Sequence, residues 1–319
     1  MKPQVVVVGS FVQDLTWQCA EFPRAGETII GRFVTGPGGK GSNQAVAAGR
    51  AGAATLFIGA VGDDVFADGA EKFYAAEGIA ARFVRKPGQA TGTAAILVNA
   101  AAQNEIVVAL GANAQLEPRD VDPDLVRSAR VVVCQHETDL AVNAHVLRLA
   151  RTAGVTTVLN PAPMRPDFDA SILNLVDVLI PNETEFVALV NRIEPDLTAA
   201  SLAGLAPDQL HRLCRTLGVP TVIVTLGGRG CLVSEPAGFT AIPACTGLTV
   251  VDTTGAGDAF VGGFVAGLVE SGGNRVAAAR HGNAVAALSV TKFGTAPSMP
   301  TKAEIERFLA ERASPSPVR

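Results

Sequence analysis

No surplus of positive charge runs through this sequence: 26 Lys and Arg stand against 30 Asp and Glu, a net charge of −4. Nucleic-acid backbones and anionic membranes are held through basic patches, so neither is an expected partner. Long apolar runs are missing as well. The longest nearly unbroken one, Ala259–Val269, is interrupted by Gly262, Gly263 and Gly267 and falls short of the ~20 residues of a bilayer span. At the amino end Val5–Val8 is too short for the apolar core of a secretory signal, so cytoplasmic residence is the expectation. Cys19, Cys134, Cys214, Cys231 and Cys245 are odd in number and scattered, with no C-x-x-C pair, which argues against a disulfide framework and against a zinc site. His136, His145, His211 and His281 show no metal-binding spacing and are expected to be structural or solvated. With 18% charged and 48% hydrophobic residues, the chain is globular rather than disordered, and small-molecule chemistry is the class left open.

What is present is an alternation. Short β-branched runs, Val5–Val8, Val131–Val133, Thr156–Leu159, Val178–Ile180 and Val222–Thr225, read as strands buried on both faces, the mark of a parallel sheet. Between them lie amphipathic segments of helical length: 41–51, 64–77, 142–153, 183–191 and 207–217. The expected fold is α/β, a mostly parallel central sheet flanked by helices. Two stretches break the rhythm, 14–34 and 91–110; in the second, Thr93–Val98 and Glu105–Leu110 alternate in the manner of antiparallel strands. They predict a small second β-sheet serving as a lid or an oligomer interface. A Ser/Pro-rich tail, Ser314–Arg319, is expected to fray.

Asp252-Thr-Thr-Gly-Ala-Gly-Asp258 follows an extended Leu248–Val251 and precedes a small-residue helix. Glycines let successive N–H groups converge, and a helix N-terminus adds partial positive charge, so Gly255, Ala256 and Gly257 suit an anion such as phosphate. Asp258 then stands where it can take a proton from an attacking hydroxyl; alternatively it caps the helix. Gly36-Pro-Gly-Gly-Lys-Gly-Ser-Asn-Gln44 also turns into a helix. It is not a P-loop, because Gly41 follows Lys40 where Ser or Thr is required and Val34 occupies the earlier glycine position. It presents Lys40 and Asn43 to a polyhydroxylated ligand, or is a capped surface turn. In Pro181-Asn-Glu-Thr-Glu185, Asn182 and Glu185 supply Mg²⁺-type oxygens directly or through water, or else form a helix cap. Thr225-Leu-Gly-Gly-Arg-Gly230 makes a glycine turn that approaches a nucleotide or simply reverses the chain. Gly9–Asp14 places Phe11 and Asp14 at the later glycine positions of G-x-G-x-x-G, so a dinucleotide-binding unit loses its fingerprint.

Taken in order, Gly38–Ala45, Asn160-Pro-Ala-Pro163, Pro181–Glu185, Thr225–Gly230 and Asp252–Asp258 resemble the ribokinase family of sugar kinases. The resemblance implies a single kinase domain over residues 1–319, with a lid formed by about 12–36 and 91–111 that closes over the sugar and often clasps a second copy as a homodimer. By matching position it implies Asp258 as catalytic base and Gly255, Ala256 and Gly257 as anion hole. Sugar contacts fall on Val12, Asp14, Gly39, Lys40, Asn43, Glu137 and Asp258. Nucleotide contacts fall on Asn182, Thr225, Gly227, Gly230, Gly257 and Asn283. Glu185 organises Mg²⁺, through water. A monovalent cation, usually K⁺, is implied at Asp252, Thr254, Ser289, Lys292, Gly294 and Ser298.

The expected activity is ATP-dependent phosphorylation of a primary hydroxyl of a pentose, ribose first. One departure bears on the substrate: Val12 stands where ribokinases usually carry an Asn that reads the 2-hydroxyl. An apolar side chain leaves no partner for that hydroxyl, a pattern that resembles kinases of 2-deoxyribose. From another class, a non-catalytic sugar or nucleotide sensor keeps the same fold.

Overall fold

The computed structural model describes residues 2–101, 103–193 and 197–313; the expected fraying of the Ser314–Arg319 tail lies outside them. In chain order the strands are β1 (Val5–Val8), β2 (Val12–Gln18), β3 (Arg32–Gly38), β4 (Thr55–Val61), β5 (Ala80–Arg85), β6 (Gly92–Val98) and β7 (Asn104–Ala109). They continue as β8 (Val131–Cys134), β9 (Thr156–Leu159), β10 (Val178–Leu179), β11 (Thr221–Thr225), β12 (Cys231–Glu235) and β13 (Gly238–Ile242). Nine of them form one sheet in the order β13-β12-β11-β10-β9-β8-β1-β4-β5, and four form a second in the order β3-β2-β6-β7.

The large sheet is parallel from β5 to β11 and antiparallel only at its β12–β13 edge. The four valines of β1 are 0% exposed, as expected of a strand with helices on both faces. From β1 the chain builds outward to β4 and β5, then returns to the other side of β1 and builds outward again through β8, β9, β10 and β11. The direction reverses between β1 and β8. At such a switch point the connections leave in opposite directions and open a crevice beyond the carboxyl ends of the strands.

Helix 256–270 packs against helix 275–289 and helix 40–50 with unusual closeness. A Cβ on Gly262 would stand 2.4 Å from the Cβ of Ala47, and one on Gly263 would stand 2.6 Å from that of Val285. The glycines that interrupt the longest apolar run are therefore the contact surface of three helices. Among the described residues no helix is long and apolar enough to cross a membrane.

Two sequence expectations change. Leu248–Val251 joins no sheet: Val250 and Val251 are exposed, and the chain is anchored by the Val251 and Asp252 amides, which both donate to the Val290 carbonyl. Their β-branched character serves a cavity wall rather than a strand. The small sheet holds an antiparallel β6–β7 pair as expected, but its central pair β2–β6 is parallel.

Candidate active site

Helix 256–270 starts from Gly255, whose φ of 79° lies in the left-handed region, and no side chain caps it. The Ala256 amide turns back to the Thr253 carbonyl at 3.2 Å, while the Gly257 and Asp258 amides lie in the first turn, where a helix has no internal acceptor to offer. A Cβ placed on Gly257 would have nothing within 4 Å, so that face is open. The preceding loop is fixed by Asp252, whose carboxylate accepts the Thr254 amide at 2.9 Å and the Gly294 amide at 3.0 Å.

Asp258 is the third residue of this helix and does not cap it. It is 7% exposed, and its two oxygens accept Asn43 Nδ2 and Gln44 Nε2, each at 2.9 Å. Gln44 belongs to a buried amide chain: its Nε2 also reaches Asn160 Oδ1 at 3.0 Å, and its Oε1 accepts Gln135 Nε2 at 2.8 Å. Asn160 in turn donates to the Ile180 carbonyl at 2.8 Å. Residues beyond the carboxyl ends of β8, β9 and β10 thereby aim the acid. A carboxylate offers about four lone-pair directions, so each oxygen keeps room for a further donor.

Lys40 opens helix 40–50 and lines the same cavity as Asp258 and Glu185. Burial alone would depress its pKa, but the carboxylates of Asp258, Glu137 and Glu185 outweigh it and hold the ammonium charged. Gly39 precedes it at φ 90°, where a Cβ would meet the Val12 amide nitrogen at 2.7 Å; the turn needs glycine for both reasons. Glu137, at the end of β8, accepts Ser10 Oγ at 2.5 Å and the Lys40 amide at 2.9 Å. The switch point is thus bridged side chain to side chain from the end of β1 to the end of β8.

On β2, Val12, Asp14 and Thr16 share one face. Val12 is buried and packs with Ala94 and Ile96 of β6. Burial raises the Asp14 pKa to about 6; a hydrogen bond from Thr295 opposes the rise, and Glu137 and Asp258 add to it.

Asn182 and Glu185 form a reciprocal cap, in which Asn182 Oδ1 accepts the Glu185 amide and Glu185 Oε2 accepts the Asn182 amide, both at 2.9 Å. Both still line the cavity with Asp258. Burial pushes the Glu185 carboxyl pKa up, against the Asn182 amide and Lys40. Thr225 pairs with Pro181 at the end of β11. Gly227 has φ 53°; Gly230 has φ 91°, and a Cβ there would stand 2.0 Å from the Ile242 carbonyl. Asn283 donates to the neighbouring Pro243 carbonyl at 2.7 Å. Gly230 and Asn283 therefore converge on one segment.

Thr253 lines both of two cavities. The smaller, about 180 Å³, holds Lys40, Asn182, Glu185, Thr225, Gly257 and Asp258. The larger, about 590 Å³, lies between the small sheet and segments 250–254 and 293–297, with Asp14 on its wall. Val12, Gly39, Asn43 and Glu137 stand behind these walls rather than on them.

Among the proposed cation positions, Asp252, Thr254 and Gly294 are drawn together by the hydrogen bonds of Asp252. Ser289 Oγ and Ser298 Oγ donate to the Ala286 and Thr295 carbonyls at 2.8 and 2.7 Å, which leaves their lone pairs as acceptors. The Lys292 side chain is committed to Glu304 at 2.7 Å, so only its backbone suits a cation. Among the described residues no three His, Cys, Asp or Glu side chains cluster around a metal position.

Sequence reasoning assigned no role to Ser10, Gln44, Gln135, Thr253 or Thr295. Gln44 and Thr253, like Asn160, lay inside quoted motifs and Ser10 inside the Gly9–Asp14 segment; Gln135 and Thr295 carried no local signal.

The pfkB family carbohydrate kinase model matches residues 2–302. The chain belongs to the pfkB family of carbohydrate kinases. A ribokinase of Haemophilus influenzae is 36% identical to this kinase over 97% of this chain and 99% of its own length. A deoxyribokinase of Salmonella typhi is 34% identical over 96% and 98%. Among solved structures, ribokinase from Giardia lamblia superposes with a TM-score of 0.87 at 30% identity, covering 98% of this chain and 100% of that one. Arabidopsis thaliana ribokinase complexed with ribose and ATP gives 0.83 at 30% identity, covering 97% and 99%. This chain is a phosphotransferase acting on an alcohol group, and ATP is its nucleotide; the sensor reading is set aside.

Proposed function

We propose that this kinase transfers the γ-phosphoryl group of ATP to the primary hydroxyl of a pentose, with ribose as substrate. The observation that carries the reading is Asp258, aimed by Asn43 and Gln44 into the cavity that Gly255, Ala256 and Gly257 also border. The sugar lies beside Asp14 on the wall of the larger cavity and Lys40 and Asp258 on that of the smaller, with Asn43, Gly39 and Glu137 behind those walls. Asp258 takes the hydroxyl proton as the oxygen attacks in line. The cradle amides and Lys40 meet the charge on the transferring group. The nucleotide runs over Asn182, Thr225, Gly227, Gly230 and Asn283.

Mg²⁺, organised through water by Glu185, neutralises the phosphate oxygens when bound. A monovalent cation at Asp252, Thr254 and Gly294, with Ser289, Lys292 and Ser298 contributing through backbone or hydroxyl oxygens, steadies the cradle; replacing K⁺ by Na⁺ should then lower kcat. The small sheet is the lid, and its exposed Trp17, Phe33, Ile106 and Val107 make it the clasp of a homodimer, measurable by analytical ultracentrifugation. The enzyme works in the cytoplasm.

A second reading, 2-deoxyribose, is favoured by the apolar patch of Val12, Ala94 and Ile96 on the Asp14 face, and deoxyribokinases stand among the relatives. Coupled ADP release across ribose, 2-deoxyribose, fructose and nucleosides decides between them. Ribose turning over with the highest kcat/KM supports the first reading, and a 2-deoxyribose preference that Val12→Asn reverses supports the second. Absence of turnover with either pentose contradicts both.

A further inference from the structure

Thr295 lies on the main body, in the loop after helix 275–289, and is 7% exposed. Its hydroxyl stands 3.1 Å from Asp14 Oδ2 and 3.1 Å from the Pro37 carbonyl, reaching β2 and β3 of the small sheet at once. Its other side faces the phosphate cradle. A Cβ on Gly255 would find Thr295 Cα and Cγ2 at 3.4 Å and Cβ at 3.5 Å. The residue before it, Gly294, donates its amide to Asp252, which also fixes Thr254. Behind Asp14 the backbone closes in: a Cβ on Gly38 would lie 2.3 to 2.5 Å from the carboxylate atoms. Asp14 is therefore held between Gly38 and Thr295.

We propose that Thr295 is a positioning residue for the sugar, its hydroxyl fixing the Asp14 carboxylate while its backbone and methyl group rest on Gly255 of the cradle. One side chain thereby ties the sugar-facing strand to the loop that receives the phosphoryl group. The hydroxyl carries a single proton for two acceptors. Asp14 has lone pairs for a sugar hydroxyl as well as for Thr295, so Thr295 keeps the carboxylate fixed and the small sheet linked to the body as the site fills. The proposal rests on the reading of Asp14 as a sugar contact.

The test is steady-state kinetics on the full chain with the pentose turned over best, for Thr295→Val, Thr295→Ser, Asp14→Ala and the Asp14→Ala/Thr295→Val double variant. Valine keeps the methyl packing on Gly255 and removes the hydroxyl; serine keeps the hydroxyl. Thr295→Val should raise the sugar KM about fivefold to tenfold, the net size of one intramolecular hydrogen bond. Its kcat and its KM for ATP should stay within about twofold, on the same principle that the loss is confined to sugar binding. The hydrogen bond from Thr295 holds the Asp14 pKa down, so its removal should move the acid limb of kcat/KM for the sugar to higher pH. Thr295→Ser should restore both values, and Thr295→Val should add nothing once Asp14 is alanine.

A parent-like sugar KM and acid limb in Thr295→Val would overturn the proposal while leaving Asp14 in place, as would failure of serine to rescue. Should valine not fold, Thr295→Ala is read by the same criteria. If Asp14→Ala itself binds sugar as the parent does, the reading of Asp14 fails and takes the proposal with it.

Discussion

The four residues of β1 in the large sheet have no exposed surface, whereas all six residues of β7 in the small sheet are exposed. Between them β2 is two-sided. Its Val12, Asp14 and Thr16 turn toward the cavity and the small apolar patch, while Trp17 on the other face packs at a 47° tilt against Phe33 of β3 with ring centroids 5.2 Å apart and both rings partly in solvent. The large sheet is fixed by helices on both sides and delivers Ser10, Glu137, Asn160, Asn182 and Thr225 to one rim. The small sheet has one covered face and reaches the body at the site through hydrogen bonds such as Thr295 to Asp14. The rim of the large sheet holds Asp258, the proposed base, and the small sheet holds Asp14, the proposed sugar contact. A kinase that must exclude water during transfer and then release product needs this division.

The comparison breaks first if charge is tolerated equally in both sheets. Val7→Asp should prevent folding, because it buries an unpaired carboxylate, while Val107→Asp should change stability by no more than about 0.5 kcal/mol; urea unfolding followed by circular dichroism measures both. Next in size, Gly262→Val drives a side chain into Ala47 and should destabilise by about 1–3 kcal/mol.

A smaller effect sharpens the functional half of the contrast. The Asp14 pKa is raised to about 6 by burial, so the carboxylate gains its proton as pH falls through that value. Sugar kcat/KM should therefore decline below about pH 6 and level off above it; a flat profile between pH 5 and 8 would remove Asp14 from sugar binding. Smallest of all, Phe33→Ser should leave monomer stability within about 0.5 kcal/mol and act, if at all, on self-association.

The same division explains what could be read from sequence. Strands buried on both faces announce themselves, and Val5–Val8 and Thr156–Leu159 stand where the runs predicted. The glycine turn at Gly255 and Asp258 in the first turn of the helix stand as the sequence read, because glycines and a carboxylate at a helix start have a local chemistry; their roles as cradle and base are the proposal. By contrast β5, with the sequence Ala-Ala-Arg-Phe-Val-Arg, is half-exposed at the sheet edge and carries neither a clean alternation nor a buried run. Leu248–Val251 misled because β-branched residues also suit the wall of a cavity. The amide chain from Gln135 through Gln44 to Asp258, and the reach of Thr295 to Asp14, join residues more than 90 positions apart. Only the folded chain brings them together.

The most direct measurement is the turnover of Asp258→Asn at saturating pentose and ATP. The amide keeps the shape of the carboxylate but cannot accept the substrate proton, so kcat should fall about 10²- to 10⁴-fold with the sugar KM nearly unchanged. A folded Asp258→Asn enzyme that releases ADP at the parent rate would contradict the account.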